Sequence, residues 1–189
     1  PRIYDDMVQR WEAALFGGQP SRDWWRAYPS SLWSFVLHGA YLAYYAILAF
    51  PPIWLAARGN TEGIRRFLLM VMTAFVVCYV FFIFMPVAGP YYMFPRPEGP
   101  FVENVMARMV YGALEEGSSY GAAFPSSHVA ATVAALFASW RADRTLGWIL
   151  LLPTILLIVS VVYCQMHYAV DALAGLGIVM AIALTVGRL

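Results

Sequence analysis

Three side chains suited to acid–base or nucleophilic chemistry stand at the borders of apolar stretches. His167 ends a short link between two such stretches, and Asp171 follows four residues later. On a helix this spacing makes two side chains neighbours, so the carboxylate is able to accept the imidazole Nδ1–H and leave Nε2 free as a base or nucleophile. We therefore predict that His167 and Asp171 form the orienting pair that a nucleophilic histidine needs.

A second histidine, His128, follows Pro125, Ser126 and Ser127 at the start of another apolar stretch. Proline suits a helix start and serine is a preferred N-cap, so these residues predict a helix whose first N–H groups attract an anion. Taken alone, two serines at a helix start would be an ordinary cap. Beside His128, and facing His167 across adjacent stretches, they favour an anion site built on Ser126 and Ser127.

The elements that must position these side chains are predicted to be membrane helices. Of the 189 residues, 61% are hydrophobic and 12% are charged, and the mean hydropathy is +0.64. Soluble domains are about 45 to 50% apolar, and a charge at the bilayer centre costs about 2.5 to 3.5 kcal/mol on insertion scales. Because the charges gather at the borders of long apolar runs, we predict an all-α integral membrane protein.

Five apolar runs predict about five transmembrane helices, since a span needs about 20 residues. The runs cover residues 32–55, 67–87, 128–140, 146–163 and 168–186. Residues 3–16 predict an amphipathic helix, and Trp24, Trp25 and Tyr28 suit the aromatic belt of a membrane interface. The predicted division is an interfacial segment at 1–30 and a transmembrane domain at 31–189.

Placing the runs through the membrane in order assigns the connections to two faces. The site face, as we call it, collects residues 1–30, 88–125 and 164–167. The opposite face receives six arginines: Arg58, Arg65, Arg66, Arg141, Arg144 and Arg188. By the positive-inside rule the opposite face is cytoplasmic, and the site face is external.

The connection at residues 88–125 is long enough to indicate a functional loop. Its first part holds Arg96 among four prolines, and residues 102–116 predict an amphipathic surface helix. A guanidinium grips phosphate through two parallel hydrogen bonds, so we predict that Arg96 binds an anionic substrate group. Tyr91 and Tyr92 are predicted headgroup contacts. His38, about two turns into the first run, is either a packed histidine or a further contact.

The charge composition excludes several functions. The twelve basic residues are all arginine, so a lysine mechanism is excluded. A net charge of +1 provides no basic field for nucleic acid, which is therefore not expected as a partner. Cys78 and Cys164 form no CxxC motif and are predicted to be small buried side chains. No cofactor is expected.

Two stretches resemble motifs of the type 2 phosphatidic acid phosphatase (PAP2) superfamily. Residues 123–128 (Ala-Phe-Pro-Ser-Ser-His) are similar to its second motif, and residues 163–171 (Tyr-Cys-Gln-Met-His-Tyr-Ala-Val-Asp) to its third. The likeness covers most of the chain and is closest to the branch of the aureobasidin-sensitive inositol phosphorylceramide synthases and related bacterial phosphatases. It implies that His167 attacks phosphorus, Asp171 orients it, His128 protonates the leaving oxygen and Ser126 binds phosphate.

The chain departs from the family pattern at two cationic positions. The first motif is commonly Lys, six residues and Arg-Pro; here Arg96-Pro97 is present, but Gly89 stands in place of Lys. The third motif usually carries Arg six residues before its His, where this chain has Val161. The family usually has six spans, which predicts a further span before residue 1.

The resemblance implies hydrolysis of a lipid phosphate or diphosphate, phosphatidate-like or polyprenyl, through a phosphohistidine. It also implies an integral protein of a bacterial inner or plasma membrane, with its site on the periplasmic or extracellular face. One alternative is transfer of the phospho-headgroup to a lipid alcohol such as a sphingolipid. The others are a metal-dependent hydrolase using the His, His, Asp group, a serine hydrolase using Ser126 or Ser127, and a transport module.

Overall fold

In the computed structural model, which describes residues 2–117 and 120–185, the chain is a succession of helices. They are α1 (Asp5–Phe16), α2 (Pro20–Ala27), α3 (Ser31–Ala57), α4 (Thr61–Phe84), α5 (Pro90–Met93), α6 (Val105–Gly117), α7 (Ser127–Ala142), α8 (Arg144–Tyr163) and α9 (Ala169–Thr185), with a 3₁₀ turn at Gly99–Phe101. Within the described ranges no β-strand occurs, and one isolated bridge joins Val87 to Ala122. The all-α prediction is confirmed. Arg188 and the predicted span before residue 1 lie outside the described residues.

Three helices are long and apolar enough to cross a membrane: α3, α4 and α8. Helix α9 is apolar but has 17 residues in its described part, and α7 has 16. Both fall short of the roughly 20 residues that a span needs, so the predicted number of about five spans stays a prediction. The five predicted runs nevertheless correspond one to one to α3, α4, α7, α8 and α9.

Polar side chains fix where the long helices begin. Ser30 accepts the Trp33 N–H at the start of α3, and Asn60 accepts the Gly63 N–H at the start of α4. Asp143 accepts two N–H groups in the first turn of α8. Each side chain satisfies a donor that has no carbonyl partner within its own helix.

Helix α7 occupies the centre of the bundle, where it packs against α4, α8 and α9. The inward-facing residues of α7 have small side chains, and almost all of their surface is buried. They include Ala130, Ala131, Ala134, Ala135 and Ala138. Helix α9 approaches the first turn of α7 at Gly175. A Cβ atom on Gly175 would lie 2.7 Å from the Ser126 carbonyl oxygen. Small residues allow such close approach between membrane helices, which holds the start of α7 in place.

Helix α1, the predicted amphipathic helix, buries two acids and Val8, and it exposes several large apolar side chains. Asp5 and Glu12 are buried, whereas Leu15 is 66% exposed and Trp11 and Phe16 are also exposed. The exposed apolar side suits a membrane interface. The two buried acids accept hydrogen bonds from backbone N–H groups. Glu12 Oε1 accepts the Ala169 N–H at 2.8 Å, and Asp5 accepts the N–H groups of residues 88 and 89 at 2.8 Å each.

Candidate active site

His167 lies in the link between α8 and α9, and its ring is fixed by backbone. Its own N–H donates to the Val161 carbonyl at 2.8 Å, which folds the link back over the end of α8. Its Nδ1 lies 2.9 Å from the Ala123 carbonyl oxygen and 3.5 Å from Asp171 Oδ2. Burial lowers the pKa of the His167 imidazole to about 4, so the ring is neutral at physiological pH.

Asp171 is brought beside His167, but the Ala123 carbonyl is the nearer acceptor for the imidazole Nδ1–H. The Asp171 carboxylate accepts the Tyr168 N–H at 2.8 Å through Oδ2. Its backbone carbonyl accepts the Ser126 N–H at 3.0 Å, joining the start of α9 to the start of α7. Asp171 therefore shapes the backbone on both sides of the site, in addition to lying near Nδ1.

His128 meets His167 directly, as the sequence predicted. His128 Nδ1 lies 3.3 Å from His167 Nε2, and His128 Nε2 lies 3.2 Å from the Tyr41 hydroxyl. The rings of Tyr41 and Tyr44, one turn apart on α3, flank the imidazole with centroids 4.9 and 4.5 Å away. The ring of His128 is thus confined by α3 while its Nδ1 faces His167.

Both histidines open into a cavity of about 260 Å³ beneath α6. Aromatic and small apolar side chains make up most of its wall, and the predicted headgroup contacts Tyr91 and Tyr92 belong to it. Among the residues that the structure describes, none of those lining this cavity is an arginine or an acid. The lining residues are Tyr41, Leu42, Tyr44, Tyr45, Ala88, Tyr91, Tyr92, Val110, Ala113, Leu114, Gly117, Ala122, Ala123, His128, Met166 and His167.

Arg96, the predicted phosphate ligand, stands at the rim of the cavity. Its guanidinium lies 4.7 Å above the Tyr91 ring, and Nη1 is 3.6 Å from Glu115 Oε1 on α6. The side chain is 56% exposed, and it is not part of the cavity wall. Arg96 therefore contacts the site through Tyr91, while its charge is paired with an exposed acid.

The predicted anion-binding serines lie at the start of α7, beside the cavity wall. Ser126 is fully buried, and its Oγ accepts the Val129 N–H at 3.3 Å, which makes it the N-cap. Ser127 is half-buried and is the first residue of the helix. The N–H groups of Ser127 and His128 have no carbonyl within the helix, because they belong to its first turn.

His38 lies away from the cavity, so of its two predicted roles the packed histidine is confirmed and the headgroup contact is wrong. The ring is completely buried, and its Nδ1 lies 2.8 Å from the Ser34 carbonyl oxygen. It packs against Phe101 and Tyr111. Tyr111 stands between it and the cavity residue Tyr91, so His38 supports the wall from behind.

The two positions where the family carries cations have no room for one here. Gly89 has φ of +95°, and a Cβ atom there would lie 2.9 Å from the Ala123 Cβ. Val161 is fully buried in the main hydrophobic core. The missing Lys and Arg are therefore consistent with the local backbone and packing.

Sequence reasoning missed three groups that organise the site: two side chains and one backbone carbonyl. The sequence alone assigned no role in the site to Tyr41, although its one-turn spacing from Tyr44 on α3 was a usable signal. Gln165 is buried in the link, donates to the Pro90 and Pro95 carbonyls at 3.2 and 3.1 Å, and accepts from the Trp25 indole at 3.0 Å. An amide inside an apolar stretch indicates such a polar anchor. The role of the Ala123 carbonyl could not be predicted from the sequence, because every residue type has the same backbone carbonyl.

The His, His, Asp group of the metal alternative comes together, but it is not arranged to hold a metal ion in the part of the chain that the structure describes. There, no group of three or more His, Cys, Asp or Glu side chains is arranged to hold a metal ion. Cys78 and Cys164 are free and buried, as predicted. His167 is neutral, and its Nε2 faces both the cavity and the second histidine, His128. This arrangement suits nucleophilic and acid–base chemistry.

Comparison with known proteins agrees with this chemistry. No curated protein and no solved structure is matched by the chain. A family model described as the PAP2 superfamily matches residues 7–185, a range that includes the paired histidines, α1 from Met7 onward and the described part of α9. Because the match extends over nearly the whole sequence, the chain belongs to the PAP2 superfamily.

Proposed function

We propose that this protein is a membrane phosphatase that hydrolyses a lipid phosphate or diphosphate through a phosphohistidine on His167. The observation that carries the proposal is the pairing of His167 Nε2 with His128 Nδ1 at 3.3 Å, at the wall of a cavity. With Nδ1 held by the Ala123 carbonyl, the neutral ring directs its Nε2 lone pair outward.

The reaction has two displacements at phosphorus. In the first, the entering phosphate gives a proton to His128, which becomes an imidazolium. The His167 Nε2 lone pair then forms a P–N bond while the P–O bond to the lipid breaks, and His128 passes its Nδ1 proton to the leaving oxygen and is left neutral. In the second, His128 Nδ1 takes a proton from water, whose oxygen bonds to phosphorus while the P–N bond breaks. The His128 imidazolium returns its proton to the phosphate, inorganic phosphate leaves, and both histidines return to their first state.

A phosphoryl group does not fit between the two rings as they stand. A near-attack geometry places phosphorus about 3 to 3.5 Å from the attacking nitrogen, which is the whole separation between the two imidazoles. Substrate binding therefore requires the His128 ring to move away from His167. The cavity beside both rings provides the space into which the phosphoryl group enters.

Two groups of donors would bind the negatively charged phosphoryl group. The N–H groups of Ser127 and His128, which have no carbonyl partner within α7, would donate to an anion at the helix start, with the positive end of the helix dipole behind them. Arg96 supplies the guanidinium once it leaves Glu115 for the stronger, bidentate phosphate. The apolar part of the wall, which includes Leu42, Val110 and Leu114, accommodates a lipid chain.

The proposal is tested with the protein purified in detergent and a panel containing phosphatidate and a polyprenyl diphosphate. Released phosphate and newly formed phospholipid are measured together, so that hydrolysis is separated from transfer to an alcohol. We expect release of phosphate that survives excess EDTA and is inhibited by vanadate, which mimics the five-coordinate transition state. Loss of activity in EDTA with recovery on zinc would support the metal alternative instead.

The covalent intermediate is tested with a radiolabelled substrate and rapid acid quenching under conditions that preserve phosphohistidine. His167→Gln is expected to remove the label and the turnover together. His38→Gln serves as the matched control, because His38 is a buried histidine outside the cavity and should leave the label in place. A label that persists in His167→Gln would refute His167 as the nucleophile.

A further inference from the structure

The side-chain amide of Gln165 joins the link between α8 and α9 to the loop that carries Arg96. Its Nε2 donates to the carbonyls of Pro90 and Pro95, at 3.2 and 3.1 Å. One side chain therefore holds two points of the backbone that leads into Arg96. We call residues 90–96 the arginine segment.

The other end of the same amide is held by α2. Gln165 Oε1 accepts the Trp25 indole N–H at 3.0 Å and an Arg26 guanidinium N–H at 3.1 Å. A side-chain amide has two N–H hydrogens and an oxygen with two lone pairs, so the four bonds use its full capacity. The reversed amide would set its oxygen against two carbonyls and its NH₂ group against two donors. The partners therefore fix the orientation of the amide.

Arg26 holds one of these points a second time. Its Nη2 donates to the Pro95 carbonyl at 2.8 Å, and its guanidinium carbon lies 4.4 Å from the centre of the Trp25 ring. Pro95 directly precedes Arg96. The backbone at the base of the Arg96 side chain is thus held both from the link and from α2.

The backbone of Gln165 has an unusual conformation. Its φ is +59°, a left-handed value that is uncommon for residues other than glycine, and the residue is fully buried. Such a conformation persists where the surrounding contacts over-determine it, and residues of this kind cluster at active sites. The four hydrogen bonds of the Gln165 amide supply those contacts.

We propose that Gln165 is a positioning residue, which holds the arginine segment so that Arg96 stands at the rim of the cavity. This inference rests on the proposed function, in which Arg96 binds the phosphoryl group. The side-chain contacts of Arg96 itself hold it weakly, because its partner Glu115 is exposed and 3.6 Å away, and exposed ion pairs contribute little. The Tyr91 ring beneath it belongs to the same segment. The position of the guanidinium therefore depends on the anchored backbone.

The test is Gln165→Met, which keeps a neutral, unbranched side chain and removes all four hydrogen bonds. Because Arg96 binds the phosphoryl group in substrate and transition state alike, we expect KM to rise by about five- to twenty-fold with kcat changed by less than about threefold. A fall in kcat at constant KM would overturn the proposal, since Gln165 would then act on His167 through the link. Gln19→Met is the matched control and should keep both constants, because the Gln19 amide donates to the Gln9 carbonyl on α1.

A double-mutant cycle with Arg96→Ala separates the positioning of Arg96 from a general loss of structure. Once the guanidinium is gone, Gln165→Met should change kcat/KM by less than about twofold. An equal loss in both backgrounds would overturn the proposal. Arg26→Ala removes one donor to the Pro95 carbonyl and tests the same prediction if Gln165→Met does not fold. It should raise KM by about two- to fivefold in the parent and leave KM unchanged in Arg96→Ala, and an unchanged KM in the parent would contradict the proposal.

Hydrogen exchange decides the structural part of the proposal without turnover. Three N–H groups of the arginine segment, at residues 92–94, donate to the carbonyls of residues 89 and 90. In the protein purified in detergent, their exchange should be faster in Gln165→Met than in the parent and in Gln19→Met. Equal exchange in all three would overturn the proposal. If the parent released no phosphate from any lipid of the panel, the proposed function would fail, while exchange would still decide whether Gln165 holds the segment.

Discussion

Replacing Gly89 by alanine should damage both the stability and the activity of this protein. Gly89 has φ of +95° and ψ of 165°, a region that is essentially restricted to glycine and costs another residue about 1 to 3 kcal/mol. The added Cβ would lie 2.9 Å from the Ala123 Cβ, and overpacking of this kind costs about 1 to 3 kcal/mol more. Together the two effects amount to about 2 to 6 kcal/mol.

The effect on activity follows from what Ala123 does. Its carbonyl accepts the Nδ1–H of His167, so relief of the new contact by a shift of residue 123 also turns the imidazole. Misplacement of reacting groups by about 1 Å costs on the order of a hundredfold in rate, so a shift of about half an ångström should lower kcat by roughly tenfold.

Gly99→Ala in the same loop is the matched control. Gly99 also has positive φ, at +67°, but a Cβ there meets nothing within 4 Å. Gly99→Ala should therefore lower the free energy of unfolding only by the cost of the backbone conformation, about 1 to 2 kcal/mol, and its kcat should stay unchanged. Thermal unfolding and lipid phosphate hydrolysis in one detergent compare the variants. If Gly89→Ala were as stable and as active as Gly99→Ala, the contact between residues 89 and 123 would have no part in holding His167.

Three further predictions concern the surroundings of the site. Burial raises the pKa of the Glu12 carboxyl from 4.5 to about 7. Between these two pH values the folded protein keeps a proton that the unfolded chain has released. The free energy of unfolding should therefore fall as pH rises from 4.5 to about 7. Glu12→Gln should flatten that dependence in thermal unfolding, and a parent whose stability rises across the window would contradict the reasoning. Arg96→Ala should lower kcat/KM by on the order of ten- to several hundred-fold, since a hydrogen bond to a charged group contributes about 1.5 to 3 kcal/mol. Glu115→Gln should lower KM by releasing Arg96, and an Arg96→Ala enzyme within twofold of the parent would exclude Arg96 from phosphate binding. Cysteines introduced beside Arg96 and Gly121 should be labelled from outside intact cells and one beside Arg144 should not, whereas the reverse pattern would place the site in the cytoplasm.

The hydrophobic pattern was sufficient to predict the helices and the meeting of the two histidines. Apolar runs of helix length gave α3, α4, α7, α8 and α9, because the bilayer makes backbone hydrogen bonding within each segment obligatory. Their alternating direction then required His128 and His167 to lie on one face. The cap of α7 was also predictable, since Ser126 follows a proline and precedes an apolar run.

The finer arrangement of the site could not be predicted, because backbone atoms carry much of it. The Nδ1 partner of His167 is a carbonyl, which any residue at position 123 would provide. The helix spacing of His167 and Asp171 indicated their proximity, but it could not indicate that the carboxylate faces the Tyr168 N–H. The buried acids of α1 were also missed, since an acid on an amphipathic helix is ordinarily assigned to the polar, solvated side.

The row of alanines along α7 has a consequence for how freely this sequence can vary. Ala130 and Ala134 are fully buried, so a larger side chain at either position should displace the helix that carries His128. On α4, by contrast, Met72, Val76 and Ile83 project outward, where lipid adapts to any apolar shape. A saturation mutagenesis map should therefore separate the two helices sharply, with α7 permitting little beyond glycine and serine and the outer side of α4 permitting most apolar residues.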